Sequence, residues 1–214
     1  MDAVIFDLDG VLVDSEQTWD EVRRSVVAAH GGTWRPEATR AQQGMSTPEW
    51  ARYLVDTLGA QLSTDEIANT VIDEMAHRYA EGPPVIDGAA DVVREIARQW
   101  PVAIASSSPP VLIHAFLTAC DLTSLVPVAV SSEEVAAGKP APDVYLRAAA
   151  LLEIAPQRCA AVEDTTNGLR AALAAGMTVY GVPNPHFPPD PDVLGQATVL
   201  SAITELPSAV RTAR

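Results

Sequence analysis

The segment MDAVIFDLDGVLVDSE places two carboxylates, Asp7 and Asp9, at the end of the apolar run Ala3 to Phe6. In an extended chain, residues i and i+2 face the same way. Two like charges held that close repel unless something cationic sits between them. Asp9-Gly10 is also a good turn dipeptide, so a plain strand-end turn is the alternative reading. Three more polar stretches follow apolar runs. Ser106-Ser107-Ser108 comes after VAIA, and SSEEVAAGKPAPD, with Lys139, after VPVAV. Glu163-Asp164-Thr165-Thr166-Asn167-Gly168 comes after CAAV. Carboxylates, hydroxyls and one ammonium suit phosphoryl transfer to a carboxylate. Oxygen ligands select a hard cation such as Mg²⁺, which bridges to phosphate. Such a cation lets an anionic nucleophile approach an anionic phosphate. An aspartate can attack and form an aspartyl-phosphate. A second carboxyl two residues on can protonate the leaving oxygen and then activate water. A hydroxyl and an ammonium can hold the non-transferred oxygens.

The elements that would position these groups alternate. Short β-type runs fall at 3–6, 102–105, 126–130, 159–162, 178–182 and 197–200. Helical patterns at 88–99, 109–120, 140–153 and 165–175 separate most of them from the second run onward. That order predicts an α/β, Rossmann-like parallel sheet with helices on both faces. Ligands of such sheets bind beyond the carboxyl ends of the strands, which is where the four polar stretches fall. Residues 15–81 break the pattern, with helices expected at 15–30, 46–58 and 64–80. Ser46-x-x-Glu49 and Ser63-x-x-Glu66 are capping-box patterns. The expectation is a core domain over 1–14 and 82–214 with an inserted helical domain over 15–81. The proline-rich stretch 182–192 reads as an ordered surface loop.

The composition excludes several classes. The formal net charge of −14 argues against nucleic acid and anionic membranes as partners. No apolar run reaches the roughly 18 residues of a membrane span. The N-terminus shows no signal-peptide pattern. Cys120 and Cys159 read as small buried hydrophobes in a reducing compartment, so the expected localisation is cytoplasmic. His30, His77, His114 and His186 lack metal-ligand spacing and read as surface or helix-end residues.

The order DLDGVLVDSE, ASSS, GKPAPDVY, VEDTTNG resembles the haloacid dehalogenase superfamily. It is most similar to the β-phosphoglucomutase and phosphoglycolate phosphatase-like subfamily, which carries an α-helical cap. The motifs run from residue 7 to residue 168, and the helical insert falls where that subfamily has its cap. The resemblance implies that Asp7 is the nucleophile and a metal ligand. Asp9 would be the general acid/base, with its backbone carbonyl on the metal. Ser106 would be the phosphate-binding hydroxyl, with Ser107 and Ser108 beside it, and Lys139 the phosphate-binding ammonium. Asp164 would ligate the metal and Glu163 would support the site beside Gly10. Amides at Leu8, Asp9 and Ser107 would give further phosphate contacts. The implied cofactor is Mg²⁺ and the implied partner a small phosphorylated metabolite, with the chain a monomer or weak homodimer.

Lys139 carries an argument of its own. It is the single lysine among fourteen basic residues, the rest being arginine. A compact ammonium suits a cramped phosphate pocket better than a planar guanidinium. Within the family the rivals to a phosphatase are a phosphosugar mutase, a 2-haloacid dehalogenase and an inactive binding module. In the mutase branch a histidine sits where this chain has Trp19. Basic residues there flank a cap glycine that corresponds to Gly44, and Gln43 and Thr47 take their places here, with Arg40 and Arg52 off register. The expectation is therefore a phosphatase whose Trp19 forms an apolar wall for the substrate.

Overall fold

The computed structural model describes residues 1–42, 45–184 and 188–212. In chain order the elements are β1 (Ala3–Phe6), α1 (Glu16–Ala29), α2 (Ala38–Ala41), α3 (Thr47–Asp56), α4 (Thr64–Glu81) and α5 (Ala89–Ala97). Then come β2 (Val102–Ser106), α6 (Pro110–Ala119), β3 (Val128–Ser131), α7 (Asp143–Leu151) and β4 (Cys159–Glu163). The last are α8 (Thr166–Ala174), β5 (Thr178–Gly181), α9 (Pro191–Leu194), β6 (Thr198–Val199) and α10 (Leu206–Thr212). The chain folds into two compact units, Met1–Asp14 with Pro83–Arg214, and Ser15–Gly82.

The larger unit is a six-stranded sheet in the order β3-β2-β1-β4-β5-β6, parallel at every pairing. β1 lies between β2 and β4, so the chain runs outward from β1 to β3, crosses back to β4 on the other side of β1, and runs outward again to β6. That reversal is the switch point at which such sheets bind ligands. β1, β2 and β4 are buried at every residue, which is why they read as unbroken apolar runs. Strand parity assigns the faces. Ala3 and Ile5 of β1 and Cys159 and Ala161 of β4 join Tyr145, Ala148, Leu169 and Ala172 in one core cluster. The small residues of β4 let α7 and α8 pack closely. Continuing the same parity past Ile5 and Ala161 gives Asp7 and Glu163, so both carboxylates aim at the α7 side of the sheet. The Asp7 N–H still donates to Val162 O at 3.0 Å, which extends the ladder to Asp7 itself.

The smaller unit packs α1 and α3 against α4. Its core is Val22, Val26, Trp50, Leu54, Ile67, Val71, Met75 and Tyr79. Both capping boxes form: the Ser46 N–H donates to Glu49 Oε2 at 2.7 Å and the Ser63 N–H to Glu66 Oε2 at 2.9 Å.

Several expected boundaries move. The strand expected at 126–130 is Val128–Ser131, because Val126 ends the preceding turn by donating to Leu122 O. The helix expected from 140 starts at Asp143, since two prolines and a turn from Ala141 N–H to Gly138 O precede it. Part of the expected loop 182–192 is α9, capped by Asp190 Oδ1 accepting the Asp192 N–H at 2.9 Å. Cys159 is buried, whereas Cys120 ends α6 and is only half-buried. Among the described residues no helix is long and apolar enough to cross a membrane.

Candidate active site

The chain after β1 folds back on itself at once. Leu8 O accepts the N–H groups of Val11, Leu12 and Val13, and the Gly10 N–H donates to Val13 O at 2.8 Å. Gly10 takes φ +80°, and a Cβ there would stand 1.9 Å from Asp164 Oδ2. Only glycine lets the β1 turn approach the β4 turn this closely. A Cβ on Gly168 would likewise stand 1.8 Å from Glu163 Oε1, so the first turn of α8 is packed directly onto that carboxylate.

The centre of the site is a chain of charge-assisted hydrogen bonds. Lys139 Nζ donates to Asp7 Oδ1 at 2.7 Å and to Glu163 Oε1 at 2.6 Å. Tyr145 Oη donates to the same Glu163 oxygen at 2.8 Å, and its ring centroid lies 5.1 Å from the ammonium. Glu163 Oε2 accepts the Asp164 N–H at 3.0 Å, the Thr165 N–H at 3.3 Å and the Thr165 hydroxyl at 3.3 Å. The Lys139 side chain is 6% exposed and Glu163 is fully buried.

The electrostatics follow from that burial. Burial pushes Asp7 up from 3.8 to about 8; Lys139 pulls it down, and Glu163 and Asp9 add to the rise. Burial would lower the Lys139 ammonium, but the Asp7 and Glu163 carboxylates overcome it and the net shift is upward. Asp164 is raised well above the usual carboxylate range, first by burial and then by the Glu163 and Asp7 charges. With Asp7, Glu163 and Asp164 all ionised the site would hold more negative charge than its one ammonium balances. That is why Asp7 and Asp164 shift upward and why a cation placed among them would favour their ionised forms.

Oxygen atoms of Asp7, Glu163 and Asp164 lie within 4.8 Å of one another. The hydrogen bonds separate their roles. Glu163 spends both oxygens on five donors, so it braces Lys139 and the β4 turn. Asp164 Oδ1 is buried with no hydrogen-bond partner among the described residues, and a cation there would satisfy it in its ionised form. An all-oxygen set with one unspent buried carboxylate fits Mg²⁺. Asp7 and Asp164 are the side chains that would hold it.

Asp9 lies past the strand, and its carboxylate belongs to a different group. Ser108 Oγ donates to Asp9 Oδ2 at 2.5 Å. Ser106 is fully buried at the end of β2, and its Oγ accepts the Ser108 N–H at 3.0 Å. Ser107 is exposed between them. The larger unit thus brings together Asp7, Asp9, Gly10, Ser106, Lys139, Glu163 and Asp164 around one rim, with Leu8 buried in the turn below. Tyr145 and Ser108 belong to the site as well, although sequence reasoning gave neither a role. Tyr145 stood in the GKPAPDVY segment, and Ser108 stood in the serine run.

In the smaller unit, Trp19 and Trp50 have ring centroids 6.2 Å apart. Arg23 lays its guanidinium against both, 4.7 Å from the Trp19 centroid and 4.9 Å from that of Trp50. Trp19 is therefore one side of an arginine–indole stack and not a bare wall. Residues four apart on a helix are neighbours, so the 19/23 spacing carried the signal that was missed. Thr47 is the first residue of α3. Gln43 and Gly44 lie outside the described residues, as does His186.

A doubly wound sheet that gathers Asp7, Lys139 and the Glu163-Asp164 pair at its switch point has the donor set of an enzyme site for an anionic substrate. Comparison with known proteins agrees. The haloacid dehalogenase-like hydrolase family matches residues 1–176. The chain is 32% identical to hexitol phosphatase B of Escherichia coli (strain K12) over 95% of this chain and 93% of that protein. It is 30% identical to the phosphorylated carbohydrates phosphatase of Thermotoga maritima over 85% of each. The crystal structure of CbbY from Rhodobacter sphaeroides in complex with phosphate superposes with a TM-score of 0.86 at 28% identity, covering 96% of each chain. The chain belongs to the haloacid dehalogenase-like hydrolase family.

Proposed function

We propose that the protein is a Mg²⁺-dependent phosphoric monoester hydrolase acting on a small sugar, polyol or acid phosphate. The observation that carries this reading is the buried Asp7–Lys139–Glu163 chain beside the unspent Asp164 oxygen. The relatives named for hexitol and carbohydrate phosphates support the substrate class.

The chemistry divides into two displacements. Asp7 attacks the phosphorus and forms an acyl phosphate as the ester P–O bond breaks. Asp9 gives its proton to the departing alkoxide oxygen. Asp9, now ionised, takes a proton from water as that water attacks the phosphorus. The P–O bond to Asp7 breaks, inorganic phosphate leaves, and Asp9 is protonated again. Lys139, the Ser106 hydroxyl and the amides at Leu8 and Ser107 hold the non-transferred oxygens, where charge builds in each transition state. Asp7 and Asp164 would hold Mg²⁺, which would supply positive charge to offset carboxylate–phosphate repulsion.

Purified protein is expected to release phosphate from p-nitrophenyl phosphate with added Mg²⁺ and not in EDTA. Mg²⁺ at ten times its dissociation constant should also raise stability by about 1.4 kcal/mol, seen as a higher melting temperature. Equal release with and without metal would overturn the proposed cofactor. No release at all would overturn the activity.

The Ser15–Gly82 unit is proposed as the cap that supplies specificity. Trp19, in the register of the mutase branch's histidine, favours hydrolysis over phosphosugar interconversion. Arg23 lies against Trp19 in this unit, so the off-register placement of Arg40 and Arg52 does not by itself argue for hydrolysis. Trp19→Ala should raise KM for the best polyol phosphate several-fold and leave that for p-nitrophenyl phosphate nearly unchanged. Interconversion of β-glucose 1-phosphate and glucose 6-phosphate at a rate comparable to hydrolysis, in a coupled assay with a bisphosphate primer, would favour the mutase.

A further inference from the structure

The serine run ends in a residue whose every polar group is committed. Ser108 is buried at 4% exposure. Its N–H donates to Ser106 Oγ at 3.0 Å. Its C=O accepts from Ser131 Oγ at 2.7 Å, and Ser131 is fully buried at the end of β3. Ser131 is itself fixed, because its N–H donates to Glu134 Oε2 at 2.8 Å and its Oγ accepts the Glu133 N–H at 3.1 Å. Pro109 follows and confines Ser108 to extended backbone. With both peptide flanks held, the remaining polar group has one direction. The Ser108 hydroxyl donates to Asp9 Oδ2 at 2.5 Å, across 99 residues of sequence.

Asp9 needs such a hold. The terminal torsion of an aspartate is broad, so backbone placement alone does not fix where its oxygens lie. The acid must meet the leaving oxygen in one step and water in the next, and misplacement of about 1 Å costs on the order of 10²-fold. A hydroxyl on Oδ2 restrains the carboxyl plane while the group serves first as acid and then as base. The donor also suits both states of Asp9, since Oδ2 accepts whether the acid is neutral or ionised.

We propose that Ser108 is a positioning residue for Asp9, and that β3 takes part in catalysis through the relay Ser131–Ser108–Asp9. Ser106 is left to the phosphate, because its oxygen accepts from Ser108 and its proton is directed elsewhere.

The inference rests on the phosphatase reading, and the test separates the two. Wild-type hydrolysis of an alkyl phosphate such as a hexitol phosphate tests the reading. Comparison of two leaving groups tests Ser108. Departure of an alkoxide needs a proton from Asp9, whereas p-nitrophenolate leaves with little help, and kcat/KM reports the steps through that departure. Ser108→Ala is expected to lower kcat/KM for the alkyl phosphate about ten-fold or more, a share of the ~10²–10⁴ that general acid catalysis supplies. For p-nitrophenyl phosphate the loss should stay under about three-fold on the same scale. Ser108→Thr, which keeps the hydroxyl, should restore both. Added to Asp9→Asn, Ser108→Ala should cost nothing further, as expected of residues acting as one unit. Ser108→Cys, nearly isosteric and a weak donor, gives the same comparison if the alanine variant does not fold. Equal losses on both substrates, no loss on either, or a double variant clearly worse than Asp9→Asn would each overturn the proposal.

Discussion

Asp7→Asn is expected to abolish phosphate release while the protein stays folded. Asparagine is nearly isosteric, and its Oδ1 can still accept from Lys139 Nζ where Asp7 Oδ1 now does at 2.7 Å. It is a poor nucleophile and a poor ligand for a hard cation, so both the first displacement and the metal site are lost. The stability effect has a definite sign. Burial raises Asp7 from 3.8 to about 8, so the folded state binds this proton more tightly than the unfolded chain does. The associated stability is present below pH 4 and is lost progressively as pH rises towards 8. The neutral amide lacks that pH-dependent loss. In metal-free buffer at pH 8 the variant should therefore melt no lower than wild type, and Mg²⁺ should raise its melting temperature less. Turnover above a few per cent of wild type, measured by phosphate release, would remove Asp7 from the nucleophile's role. A variant that fails to fold would show that the carboxylate is a structural partner of Lys139 first and a nucleophile second.

How much of this was legible depended on whether a residue's task left a trace in local pattern. The strands were readable because a sheet covered on both faces demands unbroken apolar runs. The rim was readable because the polar stretches begin where those runs stop. Lys139 stood out by composition alone. Tyr145 did not, because it shares the buried face of α7 with Val144, Ala148 and Ala149 and its hydroxyl leaves no trace in apolar spacing. Ser108 was hidden by its neighbours: three consecutive serines carry no sign of which one meets a carboxylate 99 residues away. α2 and α9 have four residues each, too few to show a 3.6-residue period. Arg23 stands at no position that the family register marks, and its place one helical turn beyond Trp19 is what brings it onto the indole.

Lys139→Arg should behave as a severe substitution although it preserves charge. The ammonium sits between two carboxylate oxygens at 2.7 and 2.6 Å, over the Tyr145 ring, in a pocket that leaves its side chain 6% exposed. In the proposed mechanism it also presents a donor to the phosphate. A guanidinium is longer, planar and carries five N–H donors in a fixed fork. It cannot bond single oxygens of Asp7 and Glu163 from one point, and the extra heavy atoms would displace Tyr145 or the Asp7 turn. Overpacking of that kind typically costs ~1–3 kcal/mol. We expect kcat/KM to fall at least ten-fold, on the order of 1.4 kcal/mol or more of transition-state binding. Lys139→Met should be worse for the fold, because it leaves Asp7 and Glu163 buried without their cation. Breaking a buried pair from one side costs about 3–5 kcal/mol. The two variants separate charge from shape: the arginine variant keeps charge and loses fit, and the methionine variant approximates the stem and loses charge. Full activity in the arginine variant would mean that the ammonium acts as a diffuse counter-charge, and the close geometry with Asp7 and Glu163 would then carry no catalytic role.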